Sequence, residues 1–156
     1  MEAAAPAATP CASGANPVWI QNSDPNGAGD YVFPPGGGSD RYTQNNTGSP
    51  AEFCPVKVSP AVNGIYYYYY FEVNPNNDLC LTANVNNNQA YAATCTVFPA
   101  SQQWHYYGSG NTLVNRDAGD CLWFAGQPPK PGDFVNIGGP DCTKNQNDVI
   151  TQVSVG

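Results

Sequence analysis

One histidine, six cysteines and twelve carboxylates are the reactive side chains of this 156-residue chain. His105 is the single histidine, so neither a zinc site nor a Cys–His couple has a second imidazole to build on. No two cysteines stand three apart, which removes the usual metal and redox spacing. No Gly-x-Ser-x-Gly elbow occurs, and Gly108-Ser109-Gly110 reads as a hairpin turn. No pair of carboxylates is marked out for glycoside hydrolysis. The residues thus imply no catalysis, no metal and no cofactor, and His105 reads as a strand residue. Rings and amides are what the chain holds in quantity. Tyr66 to Tyr70, followed by Phe71, is an unbroken aromatic run, and Trp123-Phe124 is a shorter one. Asn84-Val85-Asn86-Asn87-Asn88-Gln89 offers paired donors and acceptors, or else forms a solvated turn. Such groups bind polar, ring-shaped or protein ligands; they do not activate nucleophiles.

Charge narrows the partners further. Charged residues make up 11% of the chain, against roughly 25% in ordinary soluble domains. Five Lys and Arg against twelve Asp and Glu leave a net charge of −7. A nucleic-acid binder needs a basic face that this chain cannot make, and anionic membranes are disfavoured for the same reason. No apolar run is long enough to span a bilayer, so no membrane insertion is expected. Six cysteines in a small, Lys-poor chain read as three disulfides of an exported protein. Asn45-Asn46-Thr47 is a glycosylation sequon in keeping with export. The Ala/Pro-rich start lacks a basic and apolar leader, which suggests a secreted protein whose signal peptide has been removed. Residues 1–15 are expected to form an extended tail, pinned at Cys11.

The elements that must carry these residues repeat. Val73-Asn74 and Val114-Asn115 are 41 apart, as are Cys80-Leu81 and Cys121-Leu122, Cys54 and Cys95, and Val32-Phe33-Pro34 and Val73-Asn74-Pro75. Cys95 to Cys142 is longer at 47, with the excess falling in the loop Gly126–Gly132. Short branched or aromatic segments read as strands: Val56–Val58, Ile65–Val73, Gln103–Tyr107, Thr112–Val114, Phe134–Ile137 and Gln152–Val155. Gly-, Pro- and Asn-rich turns separate them, and no segment shows a helical period. Three units of about four strands predict an all-β fold of about 12 short strands with threefold pseudosymmetry. The repeats fall at approximately 30–72, 73–113 and 114–156, within one domain over 16–156.

The second unit carries Cys80-Leu81-Thr82, Ala92-Ala93-Thr94-Cys95, Gln102-Gln103-Trp104, Leu113-Val114-Asn115 and Asp120-Cys121-Leu122 in order. This order resembles the ricin B-type lectin repeat with its Q-x-W element, over about residues 73–125. The resemblance implies a β-trefoil. It implies that Trp104 enters the shared core while Gln102 satisfies backbone groups beside it. Asn63-Gly64-Ile65 and Asp148-Val149-Ile150 read as degenerate copies, and Trp19-Ile20-Gln21 as the strand closing the barrel on Val153-Ser154-Val155. It also implies Cys80–Cys95 and Cys121–Cys142 within units, which leaves Cys11–Cys54 to hold the N-terminal arm; six cysteines allow fifteen connectivities.

A sugar site of the resembled family needs an Asp two residues after the first Cys, an aromatic before the second, and an Asn before Q-x-W. The second unit has Thr82, Ala93 and Ser101 there, and the third Trp123, Pro140 and Asn147. In the first, Asp40 lies close to the Asp place and Glu52 holds the aromatic one. No unit keeps the full set, so the standard pocket is expected to be lost. The candidate ligand-binding residues are Asp40, Tyr66, Tyr68, Tyr70, Trp123, Asn136 and Asn147. The Tyr run forms either an exposed platform or buried packing on both faces. The resemblance implies a glycan-binding module with a weakened or non-standard site. Two alternatives stand beside it: a protein-binding trefoil serving a secreted toxin or surface complex, and a protease inhibitor presenting Lys130 on the Gly126–Gly132 loop.

Overall fold

Burial alternates along segment 135–138, as a strand with one wet face requires: Val135 and Ile137 are buried, Asn136 and Gly138 half-buried. The computed structural model describes residues 11, 14, 16–24, 29–35, 40–57, 61, 63–65, 68–73, 79–96, 99–107, 112–126, 129–138 and 150–154, with backbone alone at 68–73 and 154. Twelve strands lie within them: β1 Val18–Asn22, β2 Tyr31–Phe33, β3 Thr43–Asn45, β4 Phe53–Lys57, β5 Tyr68–Val73, β6 Leu79–Asn84, β7 Gln89–Thr94, β8 Trp104–Tyr107, β9 Thr112–Asn115, β10 Cys121–Phe124, β11 Val135–Gly138 and β12 Ile150–Ser154. A 3-10 turn, Ala100–Gln102, leads into β8.

Six of these strands ring the barrel. β1 pairs with β12 and β4, β4 with β5, β5 with β8 and β8 with β9, and β12 lies against β9. The Tyr106 hydroxyl helps to seal the last seam by donating to the Ile150 carbonyl at 3.2 Å. Trp19 stands opposite Val153, as expected for the closing strand. The other six strands form the hairpins β2–β3, β6–β7 and β10–β11, which cap one end. Three backbone bonds join the hairpins in a cycle: Ala92 N–H to Asp40 C=O at 2.8 Å, Ile137 N–H to Asn88 C=O at 2.8 Å, and Gln44 N–H to Asp133 C=O at 2.9 Å. Between them Tyr42, Ala90 and Val135 are wholly buried in matching positions. This is a β-trefoil.

Trp104, Phe53, Phe124, Leu81, Leu113, Leu122 and Ile150 fill the core without exposure, each worth about 1.5–3 kcal/mol of burial. Phe53 begins β4 opposite Val18 just as Trp104 begins β8 opposite Tyr68. The first unit's counterpart of Trp104 is therefore Phe53, not Ile65, which lies half-buried before β5. Ile150 begins β12 and is fully buried, as its reading as a degenerate copy implies.

The cyclic register corrects half of the 41-residue pattern. Residues 31, 80 and 121 are equivalent, because Tyr31, Cys80 and Cys121 face Asn45, Ala93 and Gly138. Cys80 and Cys121 thus repeat truly. Cys54 sits on barrel strand β4 and Cys95 just past cap strand β7, so their separation is coincidental. The same holds for Val32 on β2 and Val73 on β5. Cys54 is bonded to Cys11 and Cys80 to Cys95. Cys121 is also disulfide-bonded, and its expected partner Cys142 lies outside the described residues.

Candidate functional site

The β6–β7 hairpin is locked to β8 through buried polar groups. Gln102 Nε2 donates to Thr82 Oγ1 at 3.1 Å and to the Thr94 carbonyl at 2.9 Å, and its Oε1 accepts from Thr96 N–H at 3.1 Å. Thr82 Oγ1 donates to the Cys80 carbonyl at 3.0 Å, and Trp104 Nε1 donates to the Leu81 carbonyl at 3.0 Å. Thr82 stands at the resembled family's Asp place in the second unit. It is 3% exposed, and its hydroxyl is engaged both as donor and as acceptor, so it is not turned to a ligand.

The third unit differs at the same register. Trp123 on β10 faces Asn136 directly across the hairpin, where the second unit has Thr82 facing Tyr91 and the first has Phe33 facing Thr43. Gly138 lets the indole lie against bare backbone: a Cβ there would come within 3.3 Å of Trp123 Cγ. Trp123 Nε1 is buried without a partner, so the residue offers ring surface rather than its donor. Asn87 and Asn88 reach the same place from the β6–β7 turn, where Asn88 takes the left-handed conformation at φ 57° and its carbonyl holds Ile137 N–H. Arg41 arrives from the first unit. Its Nη2 donates to Asn136 Oδ1 at 2.8 Å, and its guanidinium lies 3.6 Å over the Phe134 ring.

Together these residues line an open cleft of about 210 Å³, drawn from all three units. That is below the roughly 300–1,000 Å³ typical of pockets that enclose small molecules, and it suits a shallow contact with a single ring. An indole surface, three amides and a guanidinium supply what polyols require, namely an apolar plane with donors and acceptors at its rim.

Of the expected site residues, Trp123, Asn136 and the Asn-rich turn meet here. Asp40 does not stand at the Asp place. Phe33 does, while Asp40 is the counterpart of Asn88 and Asp133, tied by its carbonyl to Ala92. Likewise Glu52 leads into barrel strand β4, and Asn45 takes the position of Ala93. Both misplacements follow from aligning Cys54 with Cys95. Tyr66, Pro140 and Asn147 lie outside the described residues, as do the side chains of Tyr68 and Tyr70. By backbone register, Tyr70 faces Val56 and Tyr68 faces Trp104. Lys130 is exposed at the end of a loop tied to β3 through the Gly132 N–H to Gln44 C=O bond. His105 packs edge-on against Tyr107 at 4.2 Å, and no metal-binding cluster occurs among the described residues. Arg41 was not legible as a site residue, because it lies 48 residues from its counterpart Gln89 and outside any motif.

The fold and the Q-x-W geometry define a trefoil lectin scaffold. The model of the ricin-type β-trefoil lectin domain matches residues 61–148, more than half of the chain. The chain belongs to that family, which is one of carbohydrate-binding modules. No curated protein matches the sequence. The matched stretch begins after the first unit's strands, the unit in which Tyr31 replaces the Cys and Ala51-Glu52-Phe53 replaces Q-x-W.

Proposed function

We propose that this protein is a secreted, non-enzymatic glycan-binding module whose ligand sits in the Trp123–Asn136 cleft, a non-standard form of the third unit's sugar position in which Trp123 holds the Asp place and Gly138 the aromatic one. The observation that carries this reading is the meeting of Trp123, Asn136, Asn87, Asn88 and Arg41 in one cleft, while Thr82 is used up in the Gln102 lock. A sugar ring would lay its apolar face on the indole and exchange hydrogen bonds with the amides. The disulfides support an oxidising, extracellular setting. No helix among the described residues is long and apolar enough to cross a membrane. Glycan-array binding, repeated with Trp123→Ala and Asn136→Ala, tests the assignment. Loss of the same hits in both variants is expected, and unchanged hits overturn it.

A second reading, a protein-binding trefoil, draws on the absence of a carboxylate from the described residues lining the cleft, since such an acceptor is what makes the family's sugar contact specific. Capture of a defined secreted partner, in a binding-negative glycan background, would favour it.

A further inference from the structure

The cleft differs in charge from the chain around it. Acidic groups outnumber basic ones twelve to five, yet among the described residues lining the cleft the one ionisable side chain is Arg41, a cation. Its guanidinium is held in a defined pose. Phe134 covers one face at 3.6 Å, and Asn136 Oδ1 takes one Nη2 hydrogen at 2.8 Å. A guanidinium already positioned by contacts such as these loses less freedom on meeting a ligand, and its planar fork matches a carboxylate. Asn87 and Asn88 add amide donors to the lining, while Trp123 supplies the ring surface.

We propose that the cleft prefers saccharides bearing an acidic group, of the uronic-acid class, with the carboxylate at Arg41 and the sugar ring on Trp123. This rests on the glycan reading of the same cleft. The net charge of −7 does not oppose it at contact range, because exposed charges are screened beyond about 8 Å at physiological salt. It does disfavour polyanions, so the expected ligand carries an isolated acid within a largely neutral chain. A neutral hexose would meet the same indole and amides without using the guanidinium's charge.

The test is calorimetric titration of two disaccharides of identical linkage, one ending in glucuronic acid and one in glucose. The acid is expected to bind about tenfold more tightly, the margin of a charge-assisted over a neutral hydrogen bond. That ratio should shrink as salt rises, fall to about one in Arg41→Gln, and be partly kept in Arg41→Lys. Equal binding of the two sugars by the wild type, with both lost in Trp123→Ala, overturns the acid preference and leaves the glycan reading standing. A preference that persists in Arg41→Gln overturns it as well. If neither sugar binds, or if Trp123→Ala alters neither, both readings fall together.

Discussion

The indole N–H of Trp104 donates to the Leu81 carbonyl at 3.0 Å, joining the start of a barrel strand to a cap hairpin 23 residues earlier. Both residues are fully buried, so the bond has no water to replace it. Trp104→Phe leaves that carbonyl unpaired and opens a cavity, and should cost about 3 kcal/mol in urea unfolding. A loss below about 1 kcal/mol would mean that the bond does not hold the hairpin to the barrel.

Gln102 makes three hydrogen bonds to the same hairpin and its C-terminal flank. Gln102→Ala removes the bonds to the Thr94 carbonyl and the Thr96 N–H, and takes a donor from buried Thr82. At roughly 1 kcal/mol for each bond, a destabilisation of about 3 kcal/mol is expected by the same measurement. A near-neutral substitution would show the lock to be dispensable.

Tyr42 is buried at the centre of the cap, and its hydroxyl has no hydrogen-bond partner. Burial pushes the phenol far above its ordinary pKa. Removing an unpaired buried hydroxyl costs no bond, so Tyr42→Phe should leave stability unchanged or raise it by about 1 kcal/mol. A clear destabilisation in denaturant melts would contradict this.

Asp30 precedes β2 with both carboxylate oxygens buried and unpartnered, and desolvation raises its pKa above the ordinary 3.8. The folded state therefore holds this proton more tightly than the unfolded chain does. Asp30 weighs little against folding below pH 3.8, and its destabilising effect grows as pH rises through the folded pKa. Asp30→Asn removes that titration. The variant should gain stability over wild type as pH is raised from about 3 to about 7, and the gain should be smallest at the acid end. Parallel pH–stability curves for the two proteins would refute it.

The barrel was more legible than the cap. Gln103–Tyr107 and Thr112–Val114 announce themselves by branched and aromatic residues, and they became β8 and β9. Thr43-Gln44-Asn45 forms β3 without such a signal, because its pairing comes from Tyr31–Phe33 and a bridge to Phe134 rather than from local propensity. The 41-residue period held between the second and third units, whose Cys-Leu starts are equivalent. It failed for the first, where ten residues separate β4 from β5 against four between β8 and β9, and Cys54 is tied to the N-terminal arm. Trp123 and Asn136 could be singled out individually by type. Their pairing with Arg41 could not, since it arises only where residues of all three units meet in the fold.

Amide NMR shifts on titration with an array-selected oligosaccharide test the central claim most directly, since they report where on the molecule the ligand lies. The account predicts shifts clustered at Asn87, Asn88, Trp123 and Asn136, with affinity at least about tenfold weaker in a normally folded Trp123→Ala variant. Shifts centred on Tyr66–Tyr70 instead, or affinity untouched by Trp123→Ala, would contradict it.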